Sequence, residues 1–126
     1  RAGSLIEMSK ILLVDDSPTE THQFKAMLEL LGHEVITADN GRDGVSMAIA
    51  EQPDVILMDI VMPDMNGFQA TRQIARGKET EHIPVIIVSS KNQETDKVWG
   101  QRQGAKGYIT KPVDTNELIS VMRACL

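Results

Sequence analysis

Lys10-Ile11-Leu12-Leu13-Val14-Asp15-Asp16 is the stretch on which the fold turns. Ile11 to Val14 are apolar without alternation, as in a strand covered on both faces of a parallel sheet. A second run, Asp54-Val55-Ile56-Leu57-Met58, has the same character and ends on Asp59. If the two strands are neighbours, their carboxyl ends lie side by side and three carboxylates converge at one edge. Like charges that close are costly unless a cation shares them. A hard, oxygen-seeking divalent ion such as Mg2+ suits such a site. The two runs therefore point to metal-assisted phosphate chemistry.

Working outward, strands and helices alternate to the end of the chain. Ser17 and Pro18 supply an N-cap and a first helical position. Phe24, Met27, Leu28 and Leu31 recur at helical spacing, and Gly32 stops that helix. Glu34 to Ala38 reads as a short strand, and Asp39-Asn40-Gly41 as a turn. Val45, Ala48 and Ile49 mark a second helix ending before Pro53. A loop with Met62-Pro63-Asp64-Met65-Asn66-Gly67 leads to a third helix running to about Arg76. Val85 to Val88 form a fourth strand ending on Ser89 and Ser90, and a polar helix spans roughly Gln93 to Gln103. Gly107 to Thr110 form a fifth strand before Lys111-Pro112. Asp114 caps the last helix, with Glu117 in capping-box position and Leu118, Val121, Met122 and Cys125 as its inner stripe. Five strands alternating with five helices make an α/β domain, a parallel sheet with helices on both faces.

Composition narrows the function. At 126 residues the chain is long enough to bury one core, and 41% hydrophobic with 25% charged residues is ordinary for a globular domain. A net charge of -5 without a basic run argues against nucleic-acid binding. Cys125 is the single cysteine, so no intrachain disulfide forms, and its apolar setting reads as a small core residue. No apolar stretch is long enough to insert in a membrane, and a cytoplasmic location is expected. Residues 1–7 fit none of the pattern and read as a cloning remnant ahead of a single domain over 8–126.

Five side chains fall at strand ends: Asp15, Asp16, Asp59, Ser89 and Lys111. In open α/β sheets, ligands gather outside the carboxyl ends of the strands. Mg2+ takes one or two direct carboxylates, a lysine ammonium suits a phosphoryl oxygen, and a serine adds one donor. The set holds no histidine or cysteine nucleophile and no glycine-rich phosphate loop. A carboxylate is then the nucleophile, giving an acyl phosphate.

These residues resemble the receiver domain of bacterial two-component response regulators over Lys10 to Leu126. The marks are Asp15-Asp16, Asp59 followed by Met62-Pro63 and Gly67, Ser89, and Lys111-Pro112. The resemblance implies a flavodoxin-like sheet of order 2-1-3-4-5. It implies Asp59 as phosphoacceptor from a histidine kinase or phosphotransfer protein. Mg2+ would be bound by Asp16, Asp59 and the backbone carbonyl of Val61, with Asp15 acting largely through water. Lys111 would pair with the phosphoryl group, Ser89 would move toward it, and Tyr108 would be a switch coupled to Ser89. Pro112 is implied to follow a cis peptide bond. Val61 and Lys91 stand where the family tunes hydrolysis of the acyl phosphate. Output would pass to a protein target through the helix 4–strand 5–helix 5 face, or the domain would serve as a phosphate sink. The chain would then be no enzyme beyond its own phosphorylation and dephosphorylation.

Local wording narrows the type. Val14-Asp15-Asp16-Ser17-Pro18-Thr19-Glu20, Asn66-Gly67-Phe68-Gln69-Ala70-Thr71-Arg72 and Asp96-Lys97-Val98-Trp99-Gly100 look like the stand-alone receivers of type IV pilus twitching motility. Two alternatives stay open: a receiver that binds proteins without phosphorylation, and a Mg2+-dependent aspartyl-phosphate phosphohydrolase. The latter typically carries a second acid two residues after its nucleophile, where this chain has Val61. Trp99 reads either as packing under its helix or as an exposed anchor. His22, His33 and His82 show no ligand spacing and read as solvated, and Met58, Met62 and Met65 as packing around the site.

Overall fold

The computed structural model describes residues 9–126; the expectation for residues 1–7 lies outside them. Five strands, β1 (Lys10–Val14), β2 (Glu34–Ala38), β3 (Val55–Met58), β4 (Val85–Ser89) and β5 (Gly107–Thr110), form one sheet. All its ladders are parallel, in the order β2-β1-β3-β4-β5. Between them run α1 (Pro18–Leu30), α2 (Gly41–Glu51), α3 (Gly67–Arg76), α4 (Glu94–Arg102) and α5 (Thr115–Cys125).

The unbroken apolar runs follow from this layering. Successive side chains of a strand point to opposite faces. Ile11 and Leu13 join Leu57, Ile86, Leu28 and Leu118 in one core on the side of α1 and α5. Leu12 and Val14 join Ile56, Met58, Ala48 and Ile74 in the other, under α2 and α3. Burying each Leu or Ile contributes about 1.5–3 kcal/mol, so a polar residue at any position from Ile11 to Val14 or in β3 weakens one core or the other.

Helix ends follow local chemistry. Ser17 Oγ accepts the Glu20 N–H at 3.3 Å, and Asn40 Oδ1 accepts the Asp43 N–H at 2.8 Å. Asp114 accepts from Asn116 and Glu117 N–H at 2.8 and 3.2 Å, while a reciprocal capping box joins Asn66 and Gln69. One departure from the expected stripes appears, since Ile49 is exposed; in the polar α4 it is Gly100 that seats the helix. Gly100 is buried against Ile87 and Tyr108, where a Cβ would meet Ile87 Cδ1 at 2.8 Å. The helix lies too close to the sheet for a side chain there.

Gly67 has a more local task. Its N–H donates to the Ile60 carbonyl at 2.9 Å, folding the loop after β3 back onto itself. A Cβ built on Gly67 would collide with the Asp59 carbonyl oxygen and with Ile60 Cα. The obstacle is backbone, which cannot yield as a side-chain tip does. Gly67→Ala is expected to destabilise the protein by about 2 kcal/mol, within the usual range for overpacking. Chemical denaturation checks this, and an unchanged midpoint would show that the loop relaxes freely.

Candidate functional site

Parallel register places the site. Asp15, Asp59 and Lys111 are each the first residue beyond a strand, and each is tied by its N–H to the neighbouring strand. Asp15 donates to the Ala38 carbonyl at 3.1 Å, Asp59 to Val14 at 2.9 Å and Lys111 to Ser89 at 2.9 Å. Their side chains meet at the carboxyl end of the sheet, where strand order reverses between β1 and β3 and Lys111 reaches across from β5. One carboxylate oxygen each from Asp15, Asp16 and Asp59 lie within 4.8 Å of one another. The sequence-expected acids are thus brought together with Lys111 and, at the end of β4, the fully buried Ser89.

The charges are unequally exposed. Asp15 is buried, its Oδ1 accepting the Ser17 N–H at 2.9 Å and its Oδ2 lying 3.2 Å from Lys111 Nζ. Asp16 is exposed. Asp59 retains 12% side-chain exposure, with Lys111 Nζ at 3.6 Å. Burial pushes the Asp59 pKa up to about 6, against the pull of Lys111; the charges of Asp15 and Glu20 push the same way as burial. Burial opposes the charge on Lys111, but its hydrogen bond to Glu20, with Asp59 and Asp15, leaves its pKa raised. Negative charge therefore exceeds what one ammonium offsets.

The residues fit a hard divalent cation on that ground. Three oxygens converge at ligand spacing, and Asp59 among them resists ionisation even with Lys111 beside it. Among the described residues no backbone N–H donates to the Val61 carbonyl, so its oxygen is uncommitted. The Val61 side chain is 58% exposed.

Ser89 and Tyr108 are joined through a third residue. Tyr108 Oη donates to the Lys91 carbonyl at 2.6 Å, and the Lys91 N–H donates to Ser89 Oγ at 3.1 Å. Lys91, one of the two tuning positions the resemblance implies, makes this link with its backbone while its side chain is exposed. Burial and the charge of Asp96 raise the Tyr108 pKa, keeping the hydroxyl a neutral donor. The Lys111–Pro112 peptide is cis.

Other expectations divide. Met58 and Met62 are buried beside the site, with Met65 packed against the same core. Trp99 is 48% exposed on α4 beside exposed Val98, which settles it as a surface residue. His22 and His82 are exposed, but His33 is a correction: it is buried, and burial lowers its pKa. It directly follows the α1 stop at Gly32, whose φ of 96° turns the chain inward toward β2. Cys125 packs against the core as expected. Sequence reasoning missed Glu20, which lies 2.7 Å from Lys111. An acid in a first helical turn reads as an ordinary dipole partner, and nothing in its spacing indicates a lysine 91 residues away.

Comparison with known proteins agrees with this geometry. The model of the response regulator receiver domain matches residues 11–123. The chain is 61% identical over 119 residues to Protein PilH of Pseudomonas aeruginosa, covering 94% of this chain and 98% of that protein. It is 35% identical to the DNA-binding dual master transcriptional regulator RpaA of Synechocystis, covering 94% of this chain and 49% of RpaA. Among solved structures, Vibrio cholerae chemotaxis protein CheY4 superposes with a TM-score of 0.87 at 29% identity, covering 94% and 99% of the two chains. On its sheet order and its family match, the chain belongs to the response regulator receiver domain family.

Proposed function

We propose that this receiver is a phosphorylation-controlled regulator with Asp59 as phosphoacceptor. The observation that carries the reading is the convergence of Asp15, Asp16 and Asp59 around a position that Lys111 also reaches. An Asp59 oxygen attacks the phosphorus of a phosphohistidine on a kinase or phosphotransfer protein. The P–N bond breaks, the imidazole takes up a proton as it leaves, and an acyl phosphate remains. Such transfers need positioning and charge neutralisation more than covalent help. Asp16, Asp59 and the Val61 carbonyl would hold Mg2+, with Asp15 acting largely through water; when bound, the ion offsets charge on the phosphoryl oxygens. The commitment of Asp15 to Ser17 and Lys111 supports its indirect part.

Lys111 would give its ammonium to a phosphoryl oxygen. Ser89 Oγ accepts from Lys91, which leaves its own proton to donate to a second oxygen. Drawing Ser89 inward would move Lys91, and with it the carbonyl that holds Tyr108. That linkage supports a switch passing from Ser89 to Tyr108 and the α4–β5–α5 face, where Trp99 and Val98 are exposed anchors for a protein target. The side chains of Val61 and Lys91 would set the access of water to the acyl phosphate. The 61% identity to Protein PilH, together with the shared local wording, supports a part in type IV pilus twitching motility.

Intact mass after incubation with acetyl phosphate tests the reading. One phosphoryl group is expected with Mg2+ and none without it or in Asp59→Asn; Lys111→Met is expected to slow uptake by about 10- to 100-fold. Absence of uptake, also from a histidine kinase, would favour a receiver that binds proteins without phosphorylation. A second expectation concerns pH in the absence of metal. A carboxyl with a folded pKa near 6 and an ordinary value of 3.8 favours the folded state fully below pH 3.8. That contribution is lost as pH rises through 6. Asp59→Asn should therefore match the wild type near pH 4 and exceed its stability by up to about 3 kcal/mol at pH 7. Urea denaturation at the two pH values checks the sign, and a variant weaker at pH 7 would contradict it.

A further inference from the structure

Lys111 faces three carboxylates, and its shortest contact is not to the phosphoacceptor. Nζ lies 2.7 Å from Glu20 Oε1, 3.2 Å from Asp15 Oδ2 and 3.6 Å from Asp59 Oδ1. Glu20 is not among the three acids that converge at ligand spacing. It sits in the first turn of α1, where its N–H is held by Ser17 Oγ, so its backbone is anchored independently of its side chain. The same residue lines a groove of about 270 Å³ that opens beside Lys111, shared with Asp15, Phe24 and Pro112.

An ammonium has three N–H donors. Two of them go to Glu20 and Asp15, and Asp59, at 3.6 Å, lies beyond hydrogen-bond reach, so the shortest contacts hold the ammonium away from the phosphoacceptor. Movement of the ammonium toward a phosphoryl group on Asp59 stretches one or both of these short contacts. Asp15 is buried and its second oxygen is committed to Ser17, whereas the Glu20 side chain is 52% exposed and free to swing into water. Glu20 also adds negative charge near the position that a phosphoryl group must approach. Resting on the phosphoacceptor reading above, we propose that Glu20 is a positioning residue that holds Lys111 in competition with the incoming phosphoryl group and slows phosphorylation of Asp59. An ion pair this exposed is weak, so its removal changes a rate by a small factor rather than by decades.

The test is the rate of phosphoryl uptake from acetyl phosphate, followed by intact mass in Mg2+, for wild type, Glu20→Gln and Glu20→Asp. In the step read out, an Asp59 oxygen attacks phosphorus, the P–O bond to acetate breaks and acetate leaves. At low ionic strength Glu20→Gln is expected to be faster by about three- to five-fold. Glu20→Asp, one methylene short of Lys111, is expected to fall between. The ratio should shrink toward one at about 1 M salt, where the screening length is about 3 Å, which a purely structural effect would not do. Mg2+ affinity should be little changed, since Glu20 lies outside the converging acids. Equal rates, a slower Gln variant or a difference insensitive to salt would overturn the proposal. Should Glu20→Gln fail to fold, Glu20→Asp carries the same comparison. If no protein takes up phosphoryl from acetyl phosphate or from a histidine kinase, the phosphoacceptor reading itself falls and this inference with it, an outcome distinct from equal measurable rates.

Discussion

Crowding of like charge at the carboxyl edge of a parallel sheet is the constraint on which the rest of the site depends. β1 and β3 are neighbours in register, Val14 beside Met58, so the residues that follow them cannot diverge. Both strands are covered on both faces, which leaves the sheet edge as the one place for their acids. The N–H ties of Asp15, Asp59 and Lys111 to adjacent strands fix the backbone beneath each side chain. The fold thus stabilises an arrangement that its own electrostatics oppose; Asp59, pushed to a pKa of about 6 by burial first and by the charge of Asp15 in smaller part, shows both costs.

Such a site is poised for added positive charge. Lys111 supplies some, but it is divided among Asp15, Glu20 and Asp59. On the proposed reading, Asp16, Asp59 and the Val61 carbonyl would hold a divalent cation that supplies more, and Lys111 would meet a phosphoryl oxygen beside it. The tight approach of Gly67 to the Asp59 carbonyl keeps the loop after β3 close to the acid. From there the Ser89–Lys91–Tyr108 chain leads away toward α4, which Gly100 seats against the sheet and on which Trp99 stays exposed.

Much of this was legible in the sequence because it depends on local rules. Unbroken apolar runs mark doubly covered strands, and acids, serine and lysine at their ends mark one edge of the sheet. The bounds of β2 and β5 agree with the sequence reading, and the sheet order agrees with the family resemblance. What escaped depends on contacts distant in sequence. Glu20 looks like a helix-dipole acid until Lys111 is placed beside it, and Gly100 looks unremarkable until α4 is seen to touch Ile87. His33 looks solvated by composition, but the turn at Gly32 carries it inward. The part played by the Lys91 backbone was invisible because sequence motifs speak of side chains.

The central claim is that the three crowded carboxylates form a site for one divalent cation. Titration of the protein with Mg2+, followed through amide NMR shifts, tests it directly. The expected result is saturation at one equivalent, with the largest shifts at Asp15, Asp16, Asp59 and Val61, and much weaker binding by Asp59→Asn. Shifts scattered over the acidic surface without saturation, or equal affinity in the Asn variant, would contradict it.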